Sequence, residues 1–228
     1  LAAWIAKQVG APIGELICAS NENKVLADFF ATGTYDINRP FHMTEAPSMD
    51  ILISSNFERF LYYLTGSADA VAEAMDKLKK EGKYEVSKEA FQKAGLEMMG
   101  GWASPEDMIH AMSGVYETCD YLMDPHTAVA YAVYDHLRRE GKVPHHSHTV
   151  IISTAHRYKF PGVVAKALGL AEKESPYDTL REIEESTGIA IPKQLGELET
   201  RPKRFTETVD RKDMADAIRA YVDEIARR

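Results

Sequence analysis

Hydrophobic positions along the chain switch repeatedly between helical spacing and short continuous runs. Apolar residues between 1 and 9 recur every three or four positions and stop at Gly10, with Pro12 and Gly14 marking a turn. The run Leu16-Ile17-Cys18-Ala19, closed by Ser20-Asn21-Glu22-Asn23, predicts a buried strand whose C-terminal end runs into a helix cap. A helix is then expected from Lys24 to about Thr32, ended by Gly33. The same order recurs at Met49-Asp50-Ile51-Leu52-Ile53, an apolar run read as a strand. It is followed by Ser54-Ser55-Asn56 and an aromatic-rich helix over 57–64 stopped by Gly66. From 68 to 94 the pattern is helical, with a break at Gly82-Lys83 and a restart capped by Ser87. The stretch 68–101 is therefore expected to be a helical excursion lying outside the sheet.

Ser104-Pro105-Glu106-Asp107 is a strong helix start: Ser caps, Pro takes the first position, and the acids meet the positive end of the helix dipole. That helix is expected to run to about Tyr121. Asp124-Pro125-His126-Thr127 opens another, to Arg139, with basic residues in its last turn and Gly141 beyond. Thr149-Val150-Ile151-Ile152 then predicts a further strand, closed by Ser153-Thr154-Ala155-His156. Strands separated and flanked by helices imply an α/β fold, with a mainly parallel sheet covered by helices on both faces. After Leu170 the pattern becomes charged and helical, broken at Pro176, Pro192 and Pro202, and the last helix, 210–226, is amphipathic. The expected organisation is an α/β domain over 1–170 and a helical C-terminal extension of it over 171–228.

Composition narrows the function classes. A chain of 228 residues, 45% hydrophobic and 27% charged, buries a sizeable core. A formal charge of −8 argues against a nucleic-acid partner, because phosphate contacts need clustered Lys and Arg. Only Cys18 and Cys119 are present, which speaks against a disulfide framework and for a reducing, cytoplasmic setting. No apolar stretch approaches the roughly 20 residues that span a bilayer, so no membrane partner is expected. The opening, Leu1-Ala2-Ala3-Trp4-Ile5-Ala6-Lys7, reads as the middle of a helix with no initiator Met and no cap. The expectation is that sequence upstream of it is missing.

In open parallel sheets ligands gather beyond the C-terminal strand ends. Here those ends carry Ser20-Asn21-Glu22-Asn23, Ser54-Ser55-Asn56 and Ser153-Thr154-Ala155-His156, hydroxyl and amide groups that suit either a ligand or an ordinary helix cap. His145, His146 and His148 cluster in a loop without a carboxylate or cysteine partner, so a solvated loop is preferred over a metal site and no metal ligands are assigned. His126 and His156 occupy better positions, yet a lone histidine at an element end is more often a capping or packing residue. There is no Gly-x-Ser-x-Gly elbow, no paired cysteine nucleophile and no phosphate-cradling glycine loop. The residues alone thus describe an α/β domain with an incomplete small-molecule site, and a non-catalytic binding module remains open.

The order and wording of these segments resemble one family. Ser20-Asn21-Glu22-Asn23, then Pro47-Ser48-Met49-Asp50-Ile51-Leu52-Ile53-Ser54-Ser55-Asn56-Phe57-Glu58-Arg59, then Asp124-Pro125-His126-Thr127-Ala128-Val129, then Ser153-Thr154-Ala155-His156 with Lys159-Phe160, are similar to threonine synthase in the same order. The resemblance implies the tryptophan-synthase-β fold type (pyridoxal-phosphate fold type II). It also implies a carbon–oxygen lyase that converts O-phospho-L-homoserine and water to L-threonine and phosphate. Family members hold pyridoxal phosphate on a lysine well upstream of these segments, and a glycine loop for the cofactor phosphate comes immediately before a helix resembling Leu1 to Val9. Neither occurs here, so no catalytic residue is assigned, the chain is expected to be an inactive C-terminal fragment, and its partner is the missing N-terminal half. One cofactor contact is carried over: the family's threonine at the pyridine nitrogen corresponds to Thr154. Arg157 departs from the family, where many members have proline, and leaves the neighbouring backbone path open. A related pyridoxal-phosphate lyase with another amino-acid substrate is the remaining alternative.

Overall fold

A parallel strand pair runs through the molecule, and one of its members is built on a glycine pair that apolar patterning hides. In the computed structural model, which describes residues 1–144, 146 and 148–227, β1 (Ile17–Ser20) pairs in parallel with β4 (Met99–Trp102). Cys18 lies opposite Gly100 and Ala19 opposite Gly101. Successive strand residues face opposite sides of a sheet, so the two glycines look onto different layers. A Cβ on Gly100 would sit 2.9 Å from the Cα and carbonyl oxygen of Ala27, in α2 (Val25–Thr32). A Cβ on Gly101 would collide with Val133, in α7 (Pro125–Arg139). One helix therefore covers each face, and the α/β architecture with helices on both sides of a parallel pair holds.

The membership of the sheet differs from expectation. The excursion over 68–101 is not purely helical: it contains β4 and also β3 (Lys83–Glu85), which pairs antiparallel with β2 (Thr34–Asp36). The run Met49–Ile53 is not a strand but a 3-10 turn, Pro47–Met49, followed by irregular chain, and residues 149–152 are likewise irregular. Both runs have strand-like composition but no partner ladder among the described residues. Their alternate side chains face solvent, Val150 being 81% and Ile152 66% exposed. An apolar run becomes a strand only where its N–H and C=O groups find a neighbour.

The aromatic core sits against β1 and β2. In α3 (Phe57–Thr65) the buried residues Phe57, Phe60, Leu61 and Leu64 fall at i, i+3, i+4 and i+7, a single helical stripe. Phe57 meets Phe29 edge-on at 4.7 Å, Trp4 of α1 (Ala2–Gln8) meets Phe60 edge-on at 5.6 Å, and Tyr35 stacks on Tyr84 at 5.3 Å. Edge-on pairs of this kind add about 1 kcal/mol each to area burial. Two helices, α4 (Ala68–Glu81) and α5 (Lys88–Glu97), are capped by Ser67 and Ser87 and contribute Leu78, Ala90 and Ala94.

In the second half of the chain, α6 (Pro105–Cys119) starts with a full capping box between Ser104 and Asp107 and buries Met108 and Met112. The α7 helix brings Val129, Val133 and Leu137 inward. Val164 and Ala165 of α8 (Pro161–Ala167) and Leu180 and Ile183 of α9 (Pro176–Thr187) are also buried. The chain divides into two compact units, Leu1–Ala190 and Ile191–Arg228. The second unit contains the short α10 (Lys193–Gly196), a 3-10 turn over Arg211–Asp213, and α11 (Met214–Ala226), with Phe205 against Tyr221 at 6.1 Å. No helix among the described residues is long and apolar enough to cross a membrane.

Candidate active site at the strand ends

The first strand end is knitted to a loop. Asn21 and Asn23, each 3% exposed, cap no helix; they bind the segment 42–50 instead. Asn21 Nδ2 donates to Asp50 Oδ1 at 2.7 Å and to Thr44 Oγ1 at 2.9 Å. Asn23 exchanges bonds with the His42 backbone, donating through Nδ2 at 2.7 Å and accepting at Oδ1 at 2.9 Å. Asp50 also accepts the Thr44 N–H at 2.8 Å and hydroxyl at 2.7 Å. Asp50, an acid inside an otherwise apolar run, is thus the hub of this turn, and its charge was the signal that the run is no buried strand.

A second hub is Asp124. It is 3% exposed and caps α7, with Oδ1 accepting the N–H groups of His126 at 3.0 Å and Thr127 at 3.4 Å. The same oxygen lies 3.1 Å from His126 Nδ1, while His126 Nε2 accepts the backbone N–H of Ser48 at 3.0 Å. An imidazole that accepts at Nε2 carries its proton at Nδ1, so these partners assign the tautomer in which His126 Nδ1–H donates to Asp124. His126 therefore clamps Ser48 to the start of α7, with its ring packed on Phe160 at 4.8 Å. Oδ2 of Asp124 takes a short hydrogen bond from the Thr127 hydroxyl. Burial pushes the Asp124 carboxyl up, but the hydrogen bonds from His126 and Thr127 outweigh it and hold the group below the usual carboxylate range.

The third segment closes on this hub. Ser153 Oγ lies 3.0 Å from Thr127 Oγ1 and 3.4 Å from Asp124 Oδ2, and with the Thr127 proton committed to Asp124 it is the Ser153 hydroxyl that donates into this pair. Arg157 Nε donates to the Leu122 carbonyl at 2.6 Å, its guanidinium lying over the Tyr121 ring at 5.7 Å. His156 accepts the Tyr158 N–H at 3.3 Å, and Tyr158, 1% exposed, anchors its hydroxyl on the Ile189 carbonyl. Burial first, and then the charge of Arg157, hold the His156 imidazole below its ordinary value. Between these anchors Thr154 is exposed, and its hydroxyl has no partner among the described residues.

Hydrogen bonds therefore link the strand-end segments through Asp50, the 44–50 loop, His126 and Asp124. Ser54-Ser55-Asn56 joins less tightly: Ser54 donates its N–H to the Tyr35 hydroxyl at 2.8 Å, while Ser55 and Asn56 stay exposed. Of the clustered histidines, His145 lies outside the described residues, and no group of three metal-ligating side chains occurs among the described ones. Asp124 and Asp50 were not singled out from sequence. Asp124 is signalled by its place before Pro125, with His126 and Thr127 both able to reach back to it.

The comparisons fall on the same segments. The family model "Threonine synthase, C-terminal" matches residues 127–222. The yeast threonine synthase crystal structure superposes with a TM-score of 0.81 at 30% identity, covering 98% of this chain and 45% of that one. In sequence and in fold, the chain matches the C-terminal part of the threonine synthases. A threonine synthase structure from Brucella melitensis, described as bound to pyridoxal phosphate, has a TM-score of 0.74 at 32% identity, covering 90% of this chain and 39% of that one. The human protein named threonine synthase-like 1 is 37% identical over 174 residues, which are 75% of this chain and 23% of that protein. The chain thus spans less than half the length of these threonine synthases and about a quarter of the threonine synthase-like protein.

Proposed function

We propose that the protein carrying this chain is a pyridoxal-phosphate-dependent threonine synthase, a carbon–oxygen lyase that takes O-phospho-L-homoserine and water to L-threonine and phosphate. This chain would furnish one wall of its active site. The observation that carries the reading is the open hydroxyl of Thr154, held between anchored neighbours at the end of the segment Thr149-Val150-Ile151-Ile152. A neutral hydroxyl fits the pyridine nitrogen: it bonds the ring without fixing a proton there, as a carboxylate would. Bound there, the cofactor would supply an electron sink for negative charge developing on the substrate.

The lysine that holds the cofactor is assigned to the N-terminal half of the protein, which is also the proposed partner of the exposed runs at Ile51 and Ile53 and at Val150 and Ile152. The activity is placed in the cytoplasm, where the unbridged Cys18 and Cys119 would persist as thiols.

The test is phosphate release and threonine formation from O-phospho-L-homoserine by the full-length protein with added pyridoxal phosphate. Turnover is expected, and Thr154→Val is expected to lower kcat about 3- to 10-fold through loss of one hydrogen bond. A protein that binds the cofactor yet leaves this substrate intact, while turning over another amino acid, would sink the substrate assignment.

A further inference from the structure

Thr154 stands out because everything beside it is fastened and it is not. On its N-terminal side the Ser153 hydroxyl donates its one proton into the pair formed by Thr127 Oγ1 at 3.0 Å and the buried Asp124 carboxylate at 3.4 Å. On its C-terminal side Arg157 is held by the Leu122 carbonyl at 2.6 Å. Both anchors lie in one short piece of chain, 122–127, where α7 begins. That piece is itself rigid: Leu122, Met123, Asp124, His126 and Thr127 are each at most 5% exposed. Downstream, the segment is held again by Tyr158, whose hydroxyl binds the Ile189 carbonyl.

Irregular chain ordinarily wanders, because no ladder fixes it. Residues 149–156 have no ladder among the described residues, yet two side-chain bonds four positions apart fix the backbone on either side of Thr154. Such a pair sets the direction of the side chain between them. A site group needs placement to within a fraction of an ångström, which comes from the residues that lock its neighbours.

We infer that Ser153, with Thr127 and Asp124 behind it, and Arg157 are positioning residues that staple the 153–157 segment onto the start of α7 and so aim the Thr154 hydroxyl at its ligand. The inference rests on the proposed cofactor contact of Thr154 and deepens it. Arg157 takes a definite role: its side chain replaces by a hydrogen bond the backbone restraint a proline would give. The staples themselves touch no ligand and act only through Thr154.

The test is cofactor affinity, read by absorbance and fluorescence as pyridoxal phosphate is titrated into the full-length apo-protein. The variants are Ser153→Ala, Arg157→Met, Thr154→Val and the double variant Ser153→Ala/Thr154→Val. Ser153 is exposed, so its truncation leaves the core intact. Each staple variant is expected to weaken binding about 3- to 10-fold, the range of one net hydrogen bond. The double variant is expected to bind no more weakly than Thr154→Val, because a staple has nothing left to aim once the hydroxyl is gone.

Parent-like affinity in both staple variants alongside a weakened Thr154→Val would overturn the positioning role and leave the Thr154 contact standing. Losses that multiply in the double variant would overturn it too, by showing that Ser153 acts independently. Parent-like binding by Thr154→Val would remove the contact itself, and the positioning role with it.

Discussion

Asp124 shows how much one buried side chain can organise. Its two oxygens accept bonds from His126, Thr127 and Ser153 and through them hold the first turn of a helix and a strand-end segment together. Asp124→Ala removes a helix cap and orphans the His126 N–H and Thr127 hydroxyl, so a loss of about 3 kcal/mol is expected in urea unfolding at pH 7. The pH dependence follows from the lowered pKa of the group in the folded chain. Its stabilisation is full above the unfolded aspartate value of about 3.9 and disappears as pH falls through the lower folded value. Unfolding curves of parent and variant should therefore keep a constant gap above about pH 4 and converge below it; a gap unchanged in acid would show that the charge contributes nothing. Asp124 was legible in the sequence only as a helix opener. Its role as hub depends on Ser48, 78 positions from the His126 that clamps it, and on Ser153, 29 positions from Asp124, distances no local pattern reports.

Among the elements, the legible ones were those whose signals are local. Helix ends at Gly33, Gly66 and Gly82, each left-handed, and starts at Ser67, Ser87, Ser104 and Asp124 fall where caps and turn residues place them. The strands were less legible because composition and pairing point in opposite directions. Gly100-Gly101 has weak strand propensity but forms the middle of β4 against β1, since only a strand without side chains there lets α2 and α7 close from both sides. This makes a sharp expectation for Gly100→Ala. The added methyl would meet the Ala27 backbone at 2.9 Å, and backbone cannot swing aside as a side chain can. A loss of about 1–3 kcal/mol is expected from overpacking, seen as a lower urea midpoint with an unchanged slope. A midpoint equal to the parent's would mean that the α2 contact with the sheet is looser than the geometry here.

At the scale of the whole molecule, the candidate site is a set of turns, one at the end of β1 and two in irregular chain, tied together by hydrogen bonds. The hydroxyl and amide residues picked out along the sequence divide by burial: Asn21 and Asn23 are committed to the 42–50 loop, whereas Thr154, Ser55 and Asn56 remain exposed. Sequence could name both groups but not separate them, because burial is a property of the assembled chain. The same holds for the apolar runs. Ile51 and Ile53, 44% and 59% exposed, and Val150 and Ile152, 81% and 66% exposed, alternate with the period of a strand and present unpaired backbone beside them. Exposed apolar edges of this kind seek another chain. By itself the 228-residue chain is therefore expected to self-associate with rising concentration, measurable by sedimentation velocity. Val150→Thr/Ile152→Thr keeps β-branched shape while removing apolar surface, so it should shift the association midpoint upward several-fold without altering the thermal unfolding of the α2–α7 core. Association that is unaffected by the double substitution would move the sticky surface elsewhere, with the amphipathic face of α11, where Ile218, Val222 and Ile225 are all more than half exposed, as the next element to alter.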